Sequence, residues 1–215
     1  MTTISKIGFF GQHTEDIIIY LATLLKRLDK TVSIVDLTED LRYYFETDGQ
    51  DIITMNDIDI MFNEKYLEEG DRLILVNFGY DEGFKAELFE TDINFIVTDI
   101  QKKNIMKLRE MLEKQQEIKD YIKVFRDVVD TKMTKEYLDV LMGSSYNTSE
   151  EYIFYLNNNE LENKIRLQYY NEVDFKNLPK EFKQMLRDII GKIEFEEDPK
   201  LLARKLKKIE RGRVV

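Results

Sequence analysis

The sequence predicts an α/β protein built on a doubly wound, mostly parallel sheet, and three observations carry that prediction. Short runs of β-branched and aromatic residues recur at residues 4–10, 31–35, 72–78, 93–98 and 121–128. The first, bounded by Gly11, reads as a strand buried on both faces because it is short, β-branched and aromatic. Stretches of helical periodicity lie between several of them, so strand and helix alternate. The chain has 215 residues, enough for one sizeable core without demanding a second full domain.

Taken in order, the first strand covers 4–10 and stops at Gly11. A helix follows over 15–28, where Ile17, Leu21, Leu24, Leu25 and Leu28 form one apolar stripe and Thr14 stands ready as its N-cap. Residues 31–35 make the second strand, ending at Asp36. This strand, helix and strand form a βαβ unit, whose crossover is expected to be right-handed. Strands at 72–78 and 93–98, a helix at 102–116, a strand at 121–128 and a helix at 132–142 closed by Gly143 continue the alternation. A last strand at 151–156 leads into helices at 159–169, 179–193 and 199–211, with Pro179 suited to a first helical position. The segment 41–67 is less regular: 43–46 and 51–54 read as short strands and 58–65 as a helix. Tyr43, Tyr44 and Phe45 read first as core or edge packing and second as a dimer surface.

There is no cysteine, which excludes disulfides and thiolate metal sites and fits a reducing compartment. Residues 1–6 lack the basic start and apolar run of a secretory signal, and no stretch reaches the roughly 18 apolar residues of a membrane span. A cytoplasmic location is the expectation. The formal charge of −10 argues against nucleic acid as the main ligand, because such affinity comes largely from clustered Lys and Arg. Charge is uneven, however: residues 199–215 hold seven basic residues and one acidic residue, a net +6, and leave the body near −16. The chain therefore divides into an α/β domain, 1–198, and a basic amphipathic helical tail, 199–215. In that tail Leu202, Leu206 and Ile209 share one face, with Lys205 and Lys208 among the basic residues around it. Such a helix suits docking on its own body or on the acidic 194–198 patch, a protein partner, or peripheral contact with an anionic membrane.

In open α/β sheets, ligands gather at the carboxyl ends of the strands, where the turn after the central strand opens a helix whose N-terminus attracts anions. That turn is Gly11-Gln12-His13-Thr14-Glu15-Asp16. A phosphate cradle needs several glycines to bring backbone N–H groups around the anion, and a lysine to neutralise it. One glycine and no lysine are present. Glu15 and Asp16 add two carboxylates in the first helical turn, where they complement the helix dipole and repel phosphate. His13, the single histidine, stands where a general acid or base would act, but no Ser, Cys or close carboxylate set accompanies it in the sequence. Asp57, Asp59 and Glu64 lack the rhythm of a calcium loop and read as a solvated face. No catalytic or metal-ligating set emerges.

The segment KIGFFGQHTEDIIIYLATLLKRLDKTVSIVDLT resembles the ParA/MinD-like family of deviant P-loop ATPases. The resemblance implies a three-layer, P-loop NTPase-like fold with C-terminal helices. Anchored on Leu21 and Ala22, it sets Phe9 and Phe10 against the first two residues of the family's Lys-Gly-Gly-x-Gly-Lys-Thr-Thr loop. Gly11 then matches the second glycine, Thr14 the invariant lysine, and Glu15 and Asp16 the threonine pair. Asp36 matches the aspartate after the second strand. In LILVNFG, Asn77 stands where the family usually has a magnesium-supporting aspartate, and Gly79 keeps the glycine beyond it. INFIVTDIQKKNIMKLREML and YIKVFRDVV resemble the fifth-strand region and the strand before the base-binding loop, with Arg126 in place of the usual asparagine.

A degenerate loop of this kind is similar to that of TadZ/CpaE-like pilus-assembly proteins. The resemblance implies a non-catalytic scaffold or localisation protein for a surface-appendage, secretion or conjugation apparatus, with protein partners, a homodimer among them, and no cofactor. The alternative is an atypical nucleotide switch retaining weak binding of ATP with magnesium. Its binding residues would be Gly11, Gln12, His13, Thr14, Asp36, Asn77 and Gly79.

Overall fold

A computed structural model describes residues 5–45, 49–63, 72–80, 91–114, 120–143, 146–193 and 198–212. Its strands are β1 (Lys6–Gly11), β2 (Val32–Asp36), β3 (Ile52–Met55), β4 (Ile58–Met61), β5 (Leu73–Gly79), β6 (Ile93–Asp99), β7 (Asp120–Val128) and β8 (Asn147–Tyr155). They form one eight-stranded sheet in the order β3-β4-β2-β5-β1-β6-β7-β8. Every neighbouring pair is parallel except β3 and β4. The expected doubly wound, mostly parallel sheet is therefore present.

The helices are α1 (Glu15–Arg27), α2 (Lys102–Glu113), α3 (Lys135–Met142), α4 (Asn158–Tyr170), α5 (Lys180–Ile193) and α6 (Pro199–Glu210). They divide between the two faces because strand side chains alternate. Phe9 joins the apolar cluster that holds Leu21 of α1, Leu167 of α4, Phe182 of α5 and Leu206 of α6. Phe10 joins the other cluster, with Leu108 of α2 and Leu138 of α3. Stacked rings lock both faces to β1: Phe9 on Phe95 at 4.8 Å between centroids, and Phe10 on Phe78 at 4.7 Å.

Two sequence expectations in the irregular segment are corrected. The helix expected over 58–65 is strand β4 at Ile58–Met61, while residues 64 and 65 lie outside the described residues. Asn56 and Asp57 take left-handed backbone angles, φ 49° and 60°, and make the two-residue turn of a β3–β4 hairpin. The strand expected at 43–46 does not form over its described residues: a short 3₁₀ turn at Asp40–Tyr43 takes in its start, and Glu46 lies outside the described residues.

Leu202, Leu206 and Ile209 of α6 are buried in the same cluster as α5, and Arg187 clasps Glu210 through a bond of 2.6 Å from Nε to Oε1. The apolar stripe of the tail is thus occupied within the chain, while Lys208 points to solvent and Lys205 is half-buried. Residues 194–197 of the acidic patch lie outside the described residues. Among the described residues no helix is long and apolar enough to cross a membrane.

The winding fixes where a site would form. From β1 the chain moves through α1 toward β2, on one side, and from β6 through α2 toward β7, on the other. Adjacent strands whose connections diverge leave a crevice at their carboxyl ends. Gly11 and Asp99 end those two strands.

Candidate functional site

At the end of β1 the backbone bends sharply. Gly11 has φ 103°, and a Cβ there would lie 2.0 Å from the Val97 carbonyl oxygen, so the position excludes any side chain. The next amide, Gln12 N–H, donates to that same oxygen at 3.1 Å, pinning the turn to β6. His13 then takes a left-handed φ of 58°, two residues before α1 begins. Thr14 occupies the N-cap position, but its side chain does not cap the helix. Its hydroxyl donates instead to Asn77 Oδ1 at 2.8 Å. The capping role expected of Thr14 is corrected accordingly: its backbone is already helical, φ −89° and ψ −24°, rather than extended as at a capping residue, and its hydroxyl is turned toward β5.

Asn77 links this turn to the end of β2. Its Nδ2 donates to Asp36 Oδ1 at 2.9 Å and to Thr38 Oγ1 at 3.0 Å. Asp36 is fully buried and also accepts from the Thr38 hydroxyl at 2.7 Å and the Leu41 amide at 2.8 Å. Burial raises its pKa despite these donors, which hold the charged form. Gly79 lets the chain pass this network: its φ is 59°, and a Cβ would come within 2.4 Å of Thr38 Cγ2. The structure therefore gathers Gly11 to Thr14, Asp36, Asn77 and Gly79 into one place.

On the other side of the turn stands Arg126, at the end of β7 and completely buried. Its Nη1 donates to the His13 carbonyl at 3.0 Å and to Asp16 Oδ1, its Nη2 to Asp16 Oδ2 at 2.8 Å and to Glu160 Oε1. One guanidinium thus joins the turn after β1, α1 and α4. Burial works to raise the Asp16 pKa, but the Arg126 and Lys164 charges outweigh it and hold the carboxyl below its ordinary value. Glu160 is raised: burial dominates, and the attraction of Arg126 only partly offsets it. The sequence reading gives Asp16 the role of complementing the helix dipole and repelling phosphate. It is buried as the bidentate partner of an arginine.

His13 also has a neighbour that the sequence did not reveal. Its Nε2 lies 3.6 Å from Asp99 Oδ2, so the absence of a nearby carboxylate inferred from the sequence is corrected. Asp99 accepts from the Gln101 amide at 2.8 Å and from Asn104 Nδ2 at 3.0 Å. Burial alone would raise Asp99; the His13 contact and these donors bring it below its ordinary value. Thr38, Asp99 and Glu160 were missed in the sequence. Asp99 had a signal, because VTD repeats the strand-ending pattern of IVD at Asp36. Glu160 had a misleading one: Asn157 and Glu160 are spaced like a capping box, yet the glutamate turns inward to Arg126.

No protein-family model matches the sequence, and no curated protein matches it. Solved structures do match. A ParA family ATPase from Chlorobium tepidum TLS is similar over 86% of this chain and 98% of its own, with a TM-score of 0.56 at 13% identity. MinD in the MinC:MinD cell division complex of Aquifex aeolicus gives 0.59 at 12% identity, covering 87% of this chain and 96% of that one. A Borrelia burgdorferi B31 protein bound to AMPPNP gives 0.57 at 15% identity, covering 89% and 99%. The chain has the fold of the ParA and MinD ATPases. In this ParA/MinD-like fold, the turn after β1 is the place where the sequence resemblance sets the family's phosphate loop, and here it is bound by Asn77 and Arg126.

Proposed function

We propose that the chain is a non-catalytic scaffold or localisation protein that keeps a ParA/MinD-like fold and works by binding other proteins. The observation that carries this reading is Arg126, which is bonded to the His13 carbonyl of the turn and is itself held by Asp16 and Glu160. Thr14, at the position of the family's lysine, spends its hydroxyl on Asn77. Asp16, at the position of a threonine that would reach magnesium, spends its carboxylate on Arg126. A triphosphate at this turn would meet Glu15 with no lysine to offset it, and the nearby cation, Arg126, is already engaged by Asp16 and Glu160, so these residues do not fit the group. Partner binding draws support from the MinC:MinD complex, whose MinD shares this fold. The likeness of the degenerate loop to TadZ/CpaE-like proteins supports a surface-appendage, secretion or conjugation apparatus as the machine served.

Thermal unfolding with and without ATP or ADP and magnesium tests the first half. A ligand at about 100 times its dissociation constant would add roughly 2.7 kcal/mol, and no such stabilisation is expected. A concentration-dependent rise in Tm would favour the weak nucleotide switch instead, whose remaining support is that Thr14, Asp36, Asn77 and Gly79 still converge. A fluorescent fusion in the native host tests the second half: discrete foci are expected, and an even cytoplasmic signal would count against localisation.

A further inference from the structure

Helix α4 is seated by polar contacts more than by packing. Its buried side chains are Glu160, Asn163 and Leu167, so one apolar residue anchors it, whereas α5 buries Phe182, Met185, Leu186, Ile189 and Ile190. The Glu160 bond to Arg126 is joined by Lys164 to Asp127 at 3.8 Å and by a side-chain hydrogen bond between Gln168 and Tyr44. Seating has costs. Asn163 Nδ2, one turn on from Glu160, and Arg126 Nε are buried donors without a partner among the described residues. Burial also raises the Glu160 pKa against the attraction of Arg126, so the charged form is disfavoured where the helix sits. At both ends, by contrast, α4 satisfies itself. Asn157 accepts from the Asn159 amide at 2.9 Å, and Asn171, left-handed at φ 53°, donates its N–H to the Leu167 carbonyl at 3.1 Å. Residues 155–157 and 171–172, which flank the helix, are exposed, and Phe175 beyond them is anchored in the core.

We propose that α4 is a releasable strap, which swings out as a unit on Asn157 and Asn171 and uncovers the Arg126 guanidinium that Glu160 otherwise occupies. On release Glu160 and Asn163 regain water, Leu167 is the one buried apolar side chain lost, and Arg126 keeps Asp16 and the His13 carbonyl. Elements that move are drawn from the least stable parts of a fold, and their hinges are a few residues at element ends. The contact is autoinhibitory: Glu160 is a built-in carboxylate on a cation beside the turn, which an outside anion would otherwise reach. This device does not depend on which proteins the chain binds, nor on its being a scaffold.

The cysteine-free sequence allows a direct test by native-state thiol labelling. Asn163 and Ser33, in β2, are 4% and 0% exposed, and each side chain ends in a buried polar atom without a partner, so cysteine suits both sites. Asn163→Cys should label at least about 100-fold faster than Ser33→Cys, through an opening that exposes far less surface than global unfolding and so responds weakly to urea. In the wild type, hydrogen exchange should show the amides of α4 opening well before those of α5, which reads the same motion without a substitution. Equal labelling at 163 and 33, or α4 amides that exchange only together with those of α5, overturns the strap. Glu160 is faced by Arg126 from β7, Asp16 from α1 and Lys164 on its own helix. A glutamine there keeps an acceptor for Arg126 without the buried charge, so adding Glu160→Gln should slow labelling at 163 by more than about threefold. An unchanged or faster rate would show that release does not turn on this contact, and would overturn the role given to Glu160.

Discussion

Removing the Arg126 guanidinium would leave Asp16 and Glu160 facing each other in a dry interior without their bonded cation. Arg126→Met is therefore expected to cost about 3–5 kcal/mol in urea unfolding, the penalty for breaking a buried charge cluster from one side. Adding Asp16→Asn and Glu160→Gln should return much of it, because neutral amides tolerate the apolar neighbour. The two carboxylates respond oppositely to pH. Asp16 is depressed below its ordinary 3.8, so the stability it contributes is present above that value and lost as pH falls through its folded pKa. Glu160 is raised above 4.5, so what it contributes is complete below 4.5 and lost as pH rises through its folded pKa. Glu160→Gln should accordingly gain on the wild type between acid and neutral pH, read as a Tm difference that widens as pH rises from about 4.5. Asn77→Asp should do the reverse. It removes the amide that donates to Asp36 and Thr38 and places a second carboxylate beside the first, so its Tm should fall relative to the wild type over the same range. At this scale the sequence shows Arg126 as an oddity among apolar residues. Its partners lie 110 and 34 positions away, and only the fold brings them close.

Elements were legible where burial follows period and obscure where turn chemistry decides. The strands at β1, β2, β5, β6 and β7 announce themselves by short β-branched and aromatic runs. The β3–β4 hairpin did not, because Ile58, Ile60 and Met61 also fit part of a helical face. The deciding signal was Asn56-Asp57, two residues that tolerate left-handed angles and here adopt them. Helix α4 is obscure in another way: Leu161, Ile165 and Tyr169 are exposed while Glu160 and Asn163 are buried beside Leu167, so hydrophobicity alone does not mark its inner face. Helix α6 behaves ordinarily, with Leu202, Leu206 and Ile209 at 6%, 3% and 0% exposure in the main core cluster. Leu206→Ala should thus cost about 2–5 kcal/mol, as a core truncation does, and should do so without adding a second unfolding transition. A loss within a few tenths of a kcal/mol would show that α6 is only loosely held and free to leave for a membrane or partner.

Across the whole molecule, the same fact that made the fold readable made the site hard to read. A parallel sheet covered on both faces needs long apolar strands and regular alternation, and those are one-dimensional patterns. The polar cluster at the strand ends is assembled from β1, β2, β5, β6, β7 and α4, and no local spacing encodes it. The charge of the molecule adds a global term to these local ones. At −10 the folded chain repels itself, and its exposed ion pairs, such as Arg166 with Glu162, return little because water screens them. Raising salt from about 0.01 M to about 0.1 M shortens the screening length from roughly 30 Å to roughly 10 Å, which weakens the spread-out repulsion more than the close pairs. The buried Arg126 cluster is shielded from that change. Tm should therefore rise with added salt, by about 2–4 °C for each kcal/mol of repulsion relieved. A fall in Tm over the same range would mean that surface ion pairs outweigh net repulsion, and would make the pairs flanking α4 stabilising elements of the fold.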